Sequence, residues 1–405
     1  MNAAALHAFS AYGIELEYMI VDRQTLSVLP IADRMLRDAG EVDRGKFGWS
    51  NELVLHLVEI KNHRPDPALE PLVTEFQAEV AQINQRLQPM GARLMPSAMH
   101  PWMNPAIEAR LWPHHHASIY QAYDRIFNCK QHGHANVQSM HVNLPFADDS
   151  EFARLHAAVR LLLPILPALA ASSPIADGMP SGYLDTRMQA YSTAYHRLPS
   201  VIGQMIPDTL SSRAEYETQV LAPLYRDIAA LDPPGVLQHE WLNARGAIPR
   251  FERNAVELRV IDVQECPQAD LAIAAAATAV IRMIFDTKWS PLTAQQAIGT
   301  SDLVKILNAC IRDAELALIG DAEYLRLLGF PDRRCQAGEL WQHLIQTTAL
   351  DRSEQWREML RVIMQQGPLA RRILRAAGPN CSKAHLQETY RVLCDCLQAG
   401  QMFVD

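Results

Sequence analysis

The segment Gly13-Ile14-Glu15-Leu16-Glu17-Tyr18-Met19-Ile20-Val21-Asp22 alternates side chains with a period of two. Ile14, Leu16, Tyr18 and Ile20 fall on one side and Glu15 and Glu17 on the other, which is the pattern of a strand with one face on a core. Carboxylates at i and i+2 of a strand point the same way, roughly 7 Å apart. Their charges repel, so burying both is costly unless cations are present. Magnesium meets that need, because it prefers hard carboxylate oxygens and keeps phosphates as partners. The plain alternative is a solvated outer face.

Three more segments extend the pattern. Leu53 to Lys61 is rich in Val, Leu and Ile and reads as a second strand. Glu59 lies inside that apolar run and needs either a metal or a neighbouring Arg or Lys. Glu52 and Glu59 are seven positions apart and would fall on opposite faces of a straight strand. Either a bulge intervenes or Glu52 lies in the preceding loop. Ala135 to Pro145 reads as a third strand, with Ser139, His141 and Asn143 on one face. His141 is either a metal ligand through its neutral imidazole or a hydrogen-bonded core histidine. Ala255 to Val263 reads as a fourth, with Glu257 and Arg259 on the face opposite Val256, Leu258 and Val260. That pair either neutralises itself or puts Glu257 on a metal and Arg259 on a phosphate or carboxylate, which its fork fits. Arg245 and Arg250 add positive charge nearby. His114, His115 and His116 read as loop residues, since three consecutive side chains cannot converge on one ion.

Around these strands the spacing predicts helices. Leu72, Phe76, Val80, Ile83 and Leu87 share a face over Pro71–Leu87, and Ile31–Ala39 reads as a short helix. Ser150 to Ala171 reads as a long helix capped by Ser150 and bent near Pro164 and Pro167. Pro96 to Pro113 and the Ser-, Gly- and Pro-rich stretch Ser172 to Asp185 read as loops, the second of a kind that is commonly functional. From Gln268 onward the pattern is almost wholly helical. The expected division is a catalytic α+β unit over 1–290 and a helical portion over 291–405 packed on it.

Composition narrows the function. The chain has 405 residues, 49% of them hydrophobic and 20% charged, enough for a large core without disulfides or a structural metal. A net charge of −8 argues against a general nucleic-acid or membrane surface. The first residues lack the basic start and apolar run of a signal peptide. No stretch reaches the roughly 18 apolar residues of a membrane span, and Leu271 to Phe285, interrupted by Arg282, reads as a buried helix. Seven cysteines without a CxxC pair read as reduced thiols of a cytoplasmic protein. Neither GxxxxGK[ST] nor GxGxxG occurs, so any nucleotide site is neither a P-loop nor a Rossmann site.

Several motifs together carry a resemblance. They are Gly-Ile-Glu-Leu-Glu at 13–17, Glu52 with Glu59, Met-His-Val-Asn at 140–143, the Ser172-Ser173-Pro174 loop leading to Arg187, and Val-Glu-Leu-Arg-Val-Ile-Asp at 256–262. This ordered set resembles the bacterial and plant glutamate–cysteine ligases, above all their shorter carboxylate–amine ligase branch, and covers Gly13 to Ala275. The resemblance implies an α+β fold like that of glutamine synthetase, with a curved antiparallel sheet and flanking helices. It implies ATP and Mg2+, with Glu15, Glu17, Glu59, His141 and Glu257 as metal ligands. Arg259 would stabilise phosphate, with Arg245 beside it in holding the nucleotide. Arg187 would contact substrate carboxylate or phosphate, and Glu52 would serve the metal or the substrate amine. The implied reaction joins a small glutamate-like acid to an amine through an acyl phosphate, and a homo-oligomer is compatible with it. Two departures bear on the substrate. Asn136-Val137-Gln138-Ser139 replaces a Gly-rich lead, and Trp112 to His134 is unusually rich in His and Tyr. The competing readings are a metal-dependent hydrolase built on His132, His134 and His141 with Glu59, and a non-catalytic ATP-binding relative.

Overall fold

The computed structural model describes residues 5–36, 40–378 and 381–404. Its centre is β1 (Gly13–Asp22), the alternating segment itself. One edge of β1 pairs with β4 (Leu57–Asn62). Its other edge is shared by β6 (Ser139–Pro145), which takes Gly13 to Leu16, and β5 (Ala92–Met95), which takes Met19 to Asp22. Beyond β4 lie β3 (Phe47–Asn51) and β2 (Glu41–Asp43), and beyond β6 lie β10 (Ala255–Asp262) and β9 (Ala247–Arg250). Every pairing in this sheet is antiparallel.

Ile14, Leu16, Tyr18 and Ile20 are fully buried against helices. Helix Glu70–Leu87 turns Leu72, Phe76, Val80, Ile83 and Leu87 inward, as its spacing requires, and Pro267–Phe285 packs against it and against Asp149–Leu162. Burying a side chain of this size contributes about 1.5–3 kcal/mol before chain entropy is counted, so this face sets the register of β1. A one-residue slip would put Glu15 and Glu17 into that core. Asp149–Ala170 and Pro267–Phe285 are long and apolar enough to cross a membrane, yet both are largely buried inside the protein and are core helices.

Several boundaries differ from expectation. The second strand begins at Leu57, because Val54 and Leu55 instead engage Leu111 and Arg110 across a short bridge. Glu52 therefore lies in the connection after β3. Residues His132–Ala135 form a helical turn, so β6 starts only at Ser139. Asp148, rather than Ser150, caps the long helix by accepting from the Glu151 amide. The short helix is described over Ala32–Leu36, and the end of its expected span at 37–39 lies outside the described residues. Between Ser172 and Asp185 the chain makes a tiny hairpin of β7 (Ile175–Ala176) and β8 (Met179–Pro180).

One irregularity shapes the open face. Val142 pairs with Leu258 but Met140 pairs with Ile261, so Arg259 and Val260 together oppose His141. This bulge shifts the parity of β10 and brings Asp262 opposite Ser139, on the same face as Glu257.

Beyond β10 the only strands among the described residues are the short pair β11 (Leu318–Ile319) and β12 (Cys335–Gln336), and the other elements are helices. A single cluster of buried apolar side chains contains residues from Ile14 to Leu397. Arg372, in helix Leu369–Ala377, reaches back to Glu265 just beyond β10, with Nη1 2.5 Å from Oε1 and both side chains fully buried. Removing one partner of a buried pair leaves an uncompensated charge. Arg372→Ala is expected to lower unfolding stability by about 3–5 kcal/mol, measured by urea titration.

Candidate active site

The face of the sheet opposite the helices carries the charged residues of four strands. Cross-strand partners share a face, so the register sets the neighbours. Glu17 stands opposite Glu59, and Glu59 opposite Ser50. Glu15 stands between Lys61 and His141, and Asn143 opposite Glu257. Glu17, Glu59, His141 and Glu257 are buried, and Glu15 and Glu52 are half-buried.

Each group has defined contacts. His141 Nδ1 lies 2.9 Å from Glu15 Oε2, and its Nε2 lies 3.0 Å from Ser139 Oγ. Glu17 accepts from the Ser139 amide at 2.7 Å and its hydroxyl at 2.9 Å. Glu59 accepts from Ser50 Oγ at 2.7 Å and from Lys61 Nζ at 2.9 Å. Two groups of three then emerge. Glu15, Glu59 and His141 each place one ligand atom within 4.8 Å of the others, and so do Glu17, Glu52 and Glu59. Glu59 belongs to both.

The electrostatics follow from this crowding. Burial, then the charges of Glu59 and Glu17, push Glu52 well above the usual carboxylate range. Burial also raises Glu17, against the pull of His141. For Glu15 burial is outweighed by the hydrogen bond and charge of His141, which hold it low. His141 is raised, because Glu15, Glu17 and Glu257 together overcome its burial. An acid with a raised folded pKa contributes stability below its ordinary pKa and loses it as pH rises through the folded value. In metal-free protein, the melting temperature of Glu52→Gln relative to wild type is therefore expected to be more favourable at about pH 8 than at about pH 5. A constant difference in thermal melts would contradict this.

The arginines flank the acids. Arg250 Nη1 lies 2.8 Å from Glu257 Oε2, and Arg259 Nε lies 3.1 Å from Glu257 Oε1. Arg187 opens helix Thr186–Ala194, which Asp185 caps. Its Nε donates to Asp262 Oδ1 at 2.5 Å, and both of its Nη atoms approach the Arg259 carbonyl at 3.4 Å. The Ser172 amide and the Ser173 hydroxyl donate to the other oxygen of Asp262. The Ser-rich loop and the bulge in β10 thus meet at Asp262, which fixes Arg187 beside Arg259.

Two cavities flank the acids. One, of about 440 Å³, is lined by Glu17, Glu52, Ser139, His141, Arg187, Arg259 and a set of aromatic residues. The other, of about 640 Å³, is lined by Glu15, Lys61, His63, Asn143 and Arg253.

Two expectations need correction. His132 and His134 share no ligand group with His141 among the described residues, because they sit on a helical turn rather than on its strand, although His134 lines the same cavity. His132 contacts Asp177 and Asn136 instead. Arg245 lines neither cavity, its guanidinium being taken up by Asp208, Asn243 and the Ser200 carbonyl. Glu257 lies beside these groups rather than within them, paired with Arg250 and Arg259 and 3.9 Å from His141 Nδ1. Lys61 is the basic neighbour that Glu59 called for, and the His- and Tyr-rich stretch Trp112 to His134 supplies part of the cavity lining, whereas Tyr191, Tyr195 and Trp241 were not anticipated. A signal for that lining existed: His116, Ile119, Tyr120 and Tyr123 follow i, i+3, i+4, i+7 spacing, and Arg187, Tyr191 and Tyr195 follow steps of four.

This antiparallel sheet, with one face on the core helices and the other carrying the acids, has solved fold-mates. The fold is shared with the glutamate–cysteine ligase of Francisella tularensis, solved in complex with AMP. That protein is 13% identical, with a TM-score of 0.60 over 96% of this chain and 89% of the other. It is also shared with a bifunctional glutathione synthetase from Pasteurella multocida, 14% identical, with a TM-score of 0.64 over 97% of this chain and 53% of the other. The chain belongs to glutamate–cysteine ligase family 2, whose model matches residues 11–390. An uncharacterised protein of Archaeoglobus fulgidus is 32% identical over 343 residues, 82% of this chain and 92% of that one. A protein of Ruegeria pomeroyi, named provisionally as glutamate–cysteine ligase 2, is 26% identical over 281 residues, 67% of this chain and 65% of that one.

Proposed function

We propose that this chain is an ATP- and magnesium-dependent carboxylate–amine ligase that activates an acid as its acyl phosphate and couples it to an amine. The observation that carries this reading is the acidic cluster centred on Glu59, set between two cavities. Five carboxylates face Lys61, Arg250, Arg259 and His141, and Glu17 and Glu52 are both held above their ordinary range. Such a donor set fits hard divalent cations bound by oxygen and one imidazole. Glu15, Glu59 and His141 would hold one ion, and Glu17, Glu59 and one oxygen of Glu52 another. Magnesium bound there would neutralise phosphate oxygens as charge moves between them.

The chain's own residues do the rest. The larger cavity, with Lys61 and Arg253, suits a polyphosphate, and the fold-mate solved with AMP supports use of a nucleotide. The acid and the amine then occupy the other cavity. Arg259 and Arg187 face the developing phosphate and the substrate carboxylate, and Asp262 keeps Arg187 in place. The γ-phosphoryl group passes to a carboxylate oxygen of the acid and ADP leaves. The amine nitrogen then forms a bond to the carbonyl carbon, and phosphate departs with that oxygen. The free oxygen of Glu52, the one member of the cluster on a loop, pairs with the incoming amine. No protein nucleophile is required, because catalysis rests on positioning and charge neutralisation. Glutamate is the first acid to test, and the setting is cytoplasmic.

ADP release from purified protein, with ATP and Mg2+ across amino acids tested singly and in pairs, is expected to need both an acid and an amine. It should stop with EDTA and return with excess Mg2+. Activity that survives EDTA, or release with ATP and water alone, would contradict the proposal.

A further inference from the structure

The smaller cavity has a wall that the reaction chemistry does not use. Helix Ala117–Phe127 turns Ile119, Tyr120 and Tyr123 into it, and Tyr191 and Tyr195 face them from the helix that Arg187 opens. The Tyr123 hydroxyl donates to that of Tyr195 at 2.9 Å, and the Tyr120 hydroxyl accepts from Asn51 Nδ2 at 3.0 Å. These contacts hold the Tyr120, Tyr123 and Tyr195 rings in place along the cavity wall.

His134 completes this wall. Its ring lies 5.0 Å from that of Tyr195 and 5.7 Å from that of Tyr123. Gly133 lets the turn approach the next helix closely, since a Cβ there would stand 2.5 Å from the Ala190 carbonyl oxygen. Burial lowers the His134 pKa to about 4, so the ring is neutral at physiological pH. It hydrogen-bonds to the backbone of Ala194, while Nε2, buried, has no partner. A neutral imidazole that donates through one nitrogen presents the other as an acceptor. A cysteine side chain would leave most of this apolar surface against water, and a second cation is disfavoured by Arg187 and Arg259 on the floor.

We propose that this wall receives an aromatic group carried by the acceptor amine, and that His134 Nε2 accepts a hydrogen bond from a donor on that group. The acceptor is then a phenol- or indole-bearing amine rather than cysteine. The amine, not the acid, is assigned here because Tyr120 adjoins Glu52, the residue set against the amine in the ligase reading. This assignment rests on the ligase reading above.

The test is ADP release by the full chain with ATP, Mg2+ and glutamate against tyramine, tyrosine, tryptophan, phenethylamine, cysteine and glycine. Phenol- or indole-bearing amines are expected to exceed cysteine in kcat/KM by at least about tenfold, and tyramine to exceed phenethylamine by a similar factor. His134→Phe should erase the tyramine preference. Tyr191→Ala, at a half-exposed position, should raise KM for the aromatic amine with KM for ATP unchanged. A preference for cysteine or glycine would overturn the inference and leave the ligase reading standing. So would an aromatic preference that falls on the acid, or a Tyr191→Ala effect on ATP, which would put adenine here. If no pair releases ADP, the ligase reading fails, and tyramine is titrated directly, by tryptophan fluorescence with Mg2+ and a non-hydrolysable ATP analogue. Saturable binding weakened by Tyr191→Ala would uphold the pocket assignment, and no binding would overturn it.

Discussion

Glu59→Gln is expected to lower kcat for ADP release by about a thousandfold or more, with the fold intact. The size follows from position. Glu59 is the one residue common to both groups of three, so its loss weakens two candidate cation sites at once. The amide keeps the shape and can still meet Ser50 Oγ and Lys61 Nζ, which now lie 2.7 Å and 2.9 Å from the carboxylate. It removes a charge that Glu52 feels as repulsion and, against that, the charge partner of Lys61, so the effects on metal-free stability oppose each other. Circular dichroism and thermal melts separate loss of activity from loss of fold. Turnover within tenfold of wild type would remove Glu59 from the centre of the mechanism.

Arg259→Lys is expected to lower kcat by roughly a hundredfold, with a smaller effect on KM. The charge is kept, but the planar fork is lost. Arg259 is held by its ion pair with Glu257, and its carbonyl is approached by Arg187. The bulge places it opposite His141, beside the acids. A lysine ammonium could face only one oxygen at a time, so stabilisation specific to the transition state should suffer most. Steady-state kinetics decide the matter. A change confined to KM would make Arg259 a binding residue only.

The inward-facing half of this fold was legible because its signals are local. The alternation of β1 predicts both its bounds and its two faces, and the 3.6 spacing of Leu72, Phe76, Val80 and Ile83 predicts the helix that covers it. The acids were legible because a carboxylate within an apolar run needs an account wherever it falls. What the sequence withheld is long-range. Strand β3 is short and contains Gly48 and Asn51, so it carries no period of its own and exists through its pairing with β4. The bulge at Arg259 and Val260 is a mismatch between two strands, invisible in either alone. Without it Asp262 has the wrong parity to meet Arg187. Arg245 and Arg259 look alike in sequence, yet Asp208 engages only the first, through a loop contact 37 residues away. The third strand was expected to begin at Ala135 because composition does not break before β6, whereas a local helical turn takes His132–Ala135 and delays the strand to Ser139. The stretch Trp112 to His134 stood out by composition, but its role as a cavity wall has meaning only once its helix faces Tyr191 and Tyr195.

The central claim is that two divalent cations share Glu59. Electron paramagnetic resonance of the full chain with Mn2+ and a non-hydrolysable ATP analogue tests it most directly. The account predicts two Mn2+ per chain with exchange-coupled spectra, and loss of that coupling in Glu59→Gln. A single bound Mn2+, or two that show no coupling and are unaffected by Glu59→Gln, would contradict it.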